Sequence, residues 1–254
     1  MIIKIKYPTS DEARGLLLST VEERGTAIPE SDPNPLDDAT ITSVGDGRDD
    51  LQDAVVARDT TKTAQMAATE EFKVVRRPMV LAIKHYHANH KMFIRRDLAD
   101  PSERGRFGLD ASHLRLPLLN TDANIAIAMN AVLTGEAARR EAGNVPIAHP
   151  SPEDMQTLKT AFTGKERVQS EKKLAFDQAQ NALELIRKQV DQLIRNLYRS
   201  LTVFYKNQGL SNPDVRRILR EWGFSFRSDT GEPVDEEENL EAAGDDSEGS
   251  EEAA

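Results

Sequence analysis

Three histidines, His85, His87 and His90, fall within six residues, with Lys84 and Lys91 at their flanks. Imidazole is a common metal ligand and the usual proton shuttle near neutral pH, so metal or acid–base chemistry would sit here first. On a helix turning about 100° per residue, His87 and His90 stand about 60° apart and His85 points nearly opposite. Two ligands at most can converge. No Asp or Glu lies within a turn of them, and two lysines add positive charge, which makes a poor site for a divalent cation. The expectation is therefore that His87 and His90 pack rather than ligate. His113 and His149 stand alone in connections and receive no role.

Other chemistries meet the same obstacle. The 254 residues include no cysteine, which excludes disulfides, thiolate metal sites, iron–sulfur clusters and cysteine nucleophiles. Gly45-Asp46-Gly47 is two glycines in an acidic setting that repels phosphate rather than cradling it. A serine nucleophile elbow is absent, and the carboxylate pairs Glu70-Glu71 and Glu236-Glu237 are sequence neighbours in solvated contexts. No catalytic, cofactor-binding or metal-binding residue is assigned, and neither a cofactor nor a small-molecule substrate is expected. The sequence predicts a noncatalytic protein.

The elements that would carry these side chains are long helices. Phe176, Ala179, Leu183, Ile186, Val190, Leu193, Leu197, Leu201 and Phe204 recur at spacings of three and four, the stripe of a helix that packs on another. The pattern reaches back towards Met155, which predicts a helix of about 50 residues or roughly 75 Å. Thr163-Gly164 is its one weak point, because glycine costs about 1 kcal/mol relative to alanine in a helix. A matching stripe runs through Ala68, Phe72, Val75, Met79, Ala82, Tyr86, His90 and Phe93, each 111 residues before its counterpart. His90 thus answers Leu201, and His87 answers Tyr198. Charges keep the same register: Arg76 with Arg187, Arg77 with Lys188, Lys84 with Arg195. Pro78 lies inside the first stripe and predicts a kink.

Both stripes end in similar words. Asp100-Pro101 precedes Arg104 and Phe107-Gly108-Leu109, and Asn212-Pro213 precedes Arg216 and Trp222-Gly223-Phe224. A polar cap, a proline in the first turn and a closing glycine predict a short terminal helix in each half, with Asp100 and Glu103 suited to a capping box. Upstream, Ser10 to about Ala27 and Thr121 to about Gly143 read as capped, shorter amphipathic helices. Pro29 to Gly47 is expected to be a linker, and Asp46 to Lys62 a mostly solvated stretch. Short extended pieces at Ile2 to Tyr7, His113 to Leu118 and Phe224 to Phe226 are expected to pair as a small sheet.

Charge separates one end from the rest. The formal net charge is -10, but 11 acids and no base lie in residues 231–254, and without them 32 acids stand against 33 bases. Such a tail lacks the apolar surface to order itself and reads as disordered, either a solubilising end or a lure for a basic partner. Basic residues gather towards the ends of the long helices: Arg76, Arg77, Lys84, Lys91, Arg95 and Arg96, then Arg187, Lys188, Arg195, Arg199 and Lys206. Arg216, Arg217 and Arg220 follow on the last helix, where a loose helix-turn-helix likeness would let them touch phosphates. Against nucleic acid stands the body's lack of any basic excess. No apolar run is long enough for a membrane span, and the start lacks a cleavage signal, so a cytoplasmic protein is expected.

These features predict an all-α fold: an elongated four-helix bundle from two tandem helical hairpins, with short extended segments and a disordered acidic C-terminal tail. Residues 1–112 would form the first repeat and 113–230 the second, sharing one bundle, with 231–254 the tail. The arrangement resembles uncharacterised bacterial helical-bundle proteins, through Arg77-Pro78-Met79, Pro101 to Arg104, Phe107-Gly108-Leu109, Pro213 to Arg216 and Trp222-Gly223-Phe224. That resemblance implies a fold and no activity. The function expected is a structural or scaffold protein that self-associates or binds protein partners through its long helices. The alternative is a nucleic-acid-binding module using the arginine-rich C-terminal helix.

Overall fold

Helix caps set the element boundaries. Ser10, Thr121 and Ser211 each accept, through the side-chain oxygen, the backbone N–H three residues on, and Asp100 accepts that of Ser102. Each thereby satisfies one of the orphan donors of a helix start. Ser10 and Thr121 lie 111 residues apart, as do Asp100 and Ser211. In the computed structural model, which describes residues 4–29, 31–110 and 115–227, the chain is all-α. Strand β1 (Lys4–Lys6) leads into α1 (Asp11–Ala27) and the long α2 (Asp38–Arg95), followed by a 3-10 helix (Pro101–Phe107). Then come α3 (Asp122–Glu141), the long α4 (Pro152–Asn207), α5 (Asn212–Glu221) and β2 (Ser225–Arg227).

The chain divides into two compact units, residues 1–58 with 179–254, and residues 59–178. These units do not coincide with stretches 1–112 and 113–230; each draws helices from both. In the first unit, Leu17, Leu18 and Val21 of α1 pack with Val44 and Leu51 of α2 and with Leu183, Val190, Ile194, Leu197 and Leu201 of α4. Val215 and Leu219 of α5, then Trp222 and Phe224, complete that core. β1 and β2 pair antiparallel beside it, with Ile5 opposite Phe226. In the second unit, Phe72, Met79, Ile83 and Tyr86 of α2 meet Ile125, Ala128, Met129 and Val132 of α3, and Met155 and Phe162 of α4. Phe107 from the 3-10 helix and Ile147 from the α3–α4 connection close it.

The predicted stripes therefore face inward: none of their residues is exposed. One ion pair recurs across the 111-residue offset. Arg187 Nε donates to Asp11 Oδ1 at 2.7 Å in the first unit, and Arg76 Nε to Asp122 Oδ1 at 2.6 Å in the second.

Several expectations need correction. The linker expected from Pro29 to Gly47 is shorter, because α2 begins at Asp38 and runs through Gly45 and Gly47. Those glycines serve close packing instead. A Cβ on Gly45 would meet Glu22 Oε1 at 2.9 Å, and one on Gly47 would meet Leu193 Cδ2 at 3.1 Å. Asp46 to Lys62 is mostly exposed, as expected, with Leu51 alone buried in that stretch. The capping box at Asp100 and Glu103 does not form, because Glu103 turns its carboxylate inward to Arg139. In the last helix the cap is Ser211, one residue before the expected Asn212. Pro78 lies within α2 and Gly164 within α4, and neither residue ends its helix. Of the three extended pieces, two pair; residues 115–118 form no strand, and His113 lies outside the described residues, as does the acidic stretch 231–254.

Candidate functional site

The clustered histidines lead to a buried ionic cluster in the second unit. α2 spaces Tyr86 and His90 by one turn, so both point inward, while His85 faces solvent. α3 contributes Glu136 and Arg139 from one face, and the 3-10 helix contributes Glu103, Arg104 and Phe107. Tyr86 Oη donates to Glu136 Oε2 at 2.5 Å. Arg139 bridges the two carboxylates, with Nε 2.6 Å from Glu103 Oε2 and Nη1 2.9 Å from Glu136 Oε2. The other Glu136 oxygen accepts the backbone N–H of Ile147 at 3.1 Å, which fixes the entry into α4. Arg104, also buried, donates to the carbonyls of Asp110 and Arg115.

Electrostatics here follow burial. His87 is held down to about 4 by desolvation, with the charges of His90 and Arg104 adding to it. His90 is likewise lowered by desolvation and by Arg139, although Glu103 opposes. His90 Nε2 stands 3.6 Å from Glu103 Oε2, close enough for charge to act and too far for a hydrogen bond. Among the described residues, neither ring nitrogen of His90, nor Nδ1 of His87, has a hydrogen-bond partner. Phe107 instead packs its ring edge-on against both imidazoles and Tyr86, at 5.9, 4.9 and 5.5 Å. Burial pushes Glu103 up, but the hydrogen bond and charge of Arg139 outweigh it and leave the carboxyl below its usual range. Both histidines are thus neutral at pH 7, sealed among rings and an ion pair.

This geometry suits a structural corner. His90 and Arg139 have no exposed surface and Glu136 has 1%, so a dissolved substrate does not reach them as packed. Among the described residues no group of three or more His, Asp or Glu is placed to hold a metal ion. The corresponding corner of the first unit is apolar: at the 111-residue offset Tyr86 answers Leu197, His90 answers Leu201 and Glu136 answers Gly25. The sequence signals His87 and His90 but not their partners. Glu103, Glu136 and Arg139 sit in ordinary helical patterns, and only their burial opposite Tyr86 marks them.

The arginine-rich end is built differently. Val215 and Leu219 bury one face of α5, and Trp222 Nε1 donates to Tyr205 Oη at 3.1 Å, anchoring the helix to α4. Arg217 lies 3.6 Å from Asp214, one turn back. Arg216 is partly covered, while Arg217 and Arg220 are exposed.

The long helices carry the open surfaces. In the second unit Met66, Val74, Leu81 and Met92 of α2 are exposed at 60, 72, 50 and 44%. Their spacing places them within about 80° of one another around the axis. A cleft of about 320 Å³ lies beside them, lined by Lys73, Arg76, Arg77 and Val80. In the first unit a cleft of about 270 Å³ is lined by Ser43, Asp46, Gly47, Asp50 and the α4 residues Ile186, Gln189, Val190 and Leu193. No helix among the described residues is long and apolar enough to cross a membrane. Neither a family model, nor a curated protein, nor a solved structure matches this chain.

Proposed function

We propose that the chain is a noncatalytic scaffold built from two tandem copies of one helical unit, a duplicated four-helix architecture that binds further copies of itself or other proteins through its long helices. The observation that carries this reading is the exposed row Met66, Val74, Leu81 and Met92 on one face of α2. Single exposed apolar side chains are ordinary, but a row that keeps one helical face is the pattern of a surface that pairs with another helix. The 111-residue register of caps, stripes and ion pairs supports the duplication. The likeness to bacterial helical-bundle proteins belongs with this reading and adds no activity to it.

Light scattering over a concentration series tests the proposal. The mass should rise with concentration, and the Val74→Asp, Leu81→Asp double variant, altered only at exposed positions, should stay monomeric. A strict monomer at every concentration, with no protein partner retained from the native cell, would remove the scaffold reading.

A further inference from the structure

Exposed positions that repeat at the 111-residue offset need a reason other than packing. Val74, Arg77, Lys84, Met92 and Arg95 of α2 answer Leu185, Lys188, Arg195, Val203 and Lys206 of α4, and all ten are exposed. Their chemical order, apolar, cation, cation, apolar, cation, is the same in both. Exposed neighbours do not keep it: Lys73 answers Glu184, Leu81 answers Gln192 and Ala88 answers Arg199. On each helix the five side chains share a stripe about 80° wide, with the cations spaced about 10 and 16 Å along the axis. One stripe belongs to each compact unit.

Among the described residues these cations form no ion pair. Of the acids on these helices, Glu70 pairs with Lys73, Glu71 with Lys165 and Asp191 with Arg14, while exposed Glu184, one turn before Lys188, stands farther than 4.0 Å from it. None of Arg77, Lys84, Arg95, Lys188, Arg195 or Lys206 has a carboxylate within 4.0 Å among the described residues. Arg195 lies over the Tyr7 ring, 5.8 Å from its centre, which holds its charge on the surface. The helix dipole favours cations in a last turn, which accounts for Arg95 and Lys206 but not for Arg77, Lys84, Lys188 and Arg195 one or more turns earlier.

We propose that the occupant of these two stripes is the chain's own acidic segment, residues 232–252. Twenty-seven residues follow Arg227, 12 of them acidic and none Lys or Arg, and 11 of those acids lie from 231 onward. Val234, Leu240, Ala242 and Ala243 provide sparse apolar side chains among those acids, and the stripes alternate cations with sparse apolar ones. Charge complementarity of this density holds a segment loosely and reversibly, because each exposed pair contributes little and salt screens it. The inference rests on reading the long helices as interaction surfaces, and it names what covers part of them.

Zero-length carbodiimide coupling of the full chain, read by peptide mass spectrometry, tests it. The reagent joins a carboxylate to a lysine amine only where the two already touch, with loss of water. Segment 232–252 should couple to Lys84, Lys188 and Lys206 about fivefold more than to exposed Lys172 and Lys173, and near-molar salt should erase the preference. Products of one-chain or two-chain mass both support the proposal. In the full-chain Arg77→Glu, Arg95→Glu variant, coupling to Lys84 should fall about fivefold while that to Lys188 and Lys206 persists. Even labelling of all these lysines, or no response to charge reversal, would overturn it. Retardation of a short oligothymidylate by the full chain, lost in that variant, would assign the stripe to nucleic acid and overturn it as well. Concentration-dependent mass is independent of these readouts, so the scaffold reading can survive failure of this one.

Discussion

Arg187 and Asp11 meet across 176 residues of sequence, the guanidinium Nε donating to a carboxylate oxygen at 2.7 Å. The contact clamps the first turn of α1 onto α4 and holds the Asp11 carboxyl below its usual range, first through the hydrogen bond and then through the charges of Arg187 and Arg14. Arg76 and Asp122 make the same contact in the second unit with more exposure, 35 and 40% against 30 and 19%. Double-mutant cycles with Asp11→Asn and Arg187→Ala should give a coupling of about 1 kcal/mol, discounted for screening, and the Arg76–Asp122 cycle less than about 0.5 kcal/mol. Urea unfolding of the four single and two double variants measures both.

Removing one member of the buried cluster should cost far more. Glu136→Ala strips Tyr86 Oη, the Ile147 N–H and Arg139 of a shared acceptor. A loss of about 3 kcal/mol is expected, because the partners stay buried without compensation. Hydrogen exchange of α3 amides should rise accordingly, while amides of α1 remain protected. Tyr86→Phe, which leaves the carboxylate its other donors, should cost only about 1 kcal/mol.

The histidines set a pH dependence of definite sign. A histidine held to about 4 when folded, against 6.5 when free, binds its proton more readily in the unfolded chain. Stability is therefore complete above 6.5 and declines as pH falls towards 4, by up to about 3 kcal/mol for His87. His90, also lowered, acts in the same direction. Glu103, whose folded value is depressed, adds its own loss at lower pH still. His87→Leu should flatten the slope between pH 6.5 and 4 in thermal unfolding monitored at several pH values. An unchanged slope would place the proton uptake elsewhere.

Glycine substitutions should split by site. Gly135 of α3 lies under the Phe107 ring, where a Cβ would fall 2.3 Å from Cδ1 and 2.9 Å from the Arg106 carbonyl. Gly135→Ala should destabilise by about 2 kcal/mol by driving Phe107 off both histidines. Gly164 in α4 has nothing within 4 Å of the same atom. Gly164→Ala should stabilise by about 0.5 to 1 kcal/mol. Melting temperatures of the two variants check both signs.

Helix periodicity and cap chemistry made much of the fold legible. Stripes such as Leu183, Val190, Leu197 and Leu201 state their buried face through spacing alone, and Ser10 and Thr121 mark helix starts through side-chain oxygens. Glycine misled where the reason for it was tertiary. Gly45 and Gly47 read as linker residues because nothing local shows Glu22 and Leu193 pressing against them. Glu103 read as a cap because its sequence position fits one, whereas the charge of Arg139, 36 residues away, claims it. Pairings of that range leave no periodic trace. The apolar row on α2 was equally hidden, since Met66, Val74 and Leu81 are indistinguishable from core residues until their burial is known.

The insertion of residues 59–178 into the sequence of the other unit has a consequence for biosynthesis. Residues 59–178 are contiguous, so their core can close soon after Phe162 leaves the ribosome, while the outer unit still lacks everything from residue 179 onward. Leu17, Leu18 and Val21 emerge before that core and find Leu197, Leu201 and Trp222 only after residues 59–178 have been made. Until α4 is made, α1 has only Val44 and Leu51 of α2 to cover its apolar side chains, a window in which a nascent-chain chaperone has something to hold.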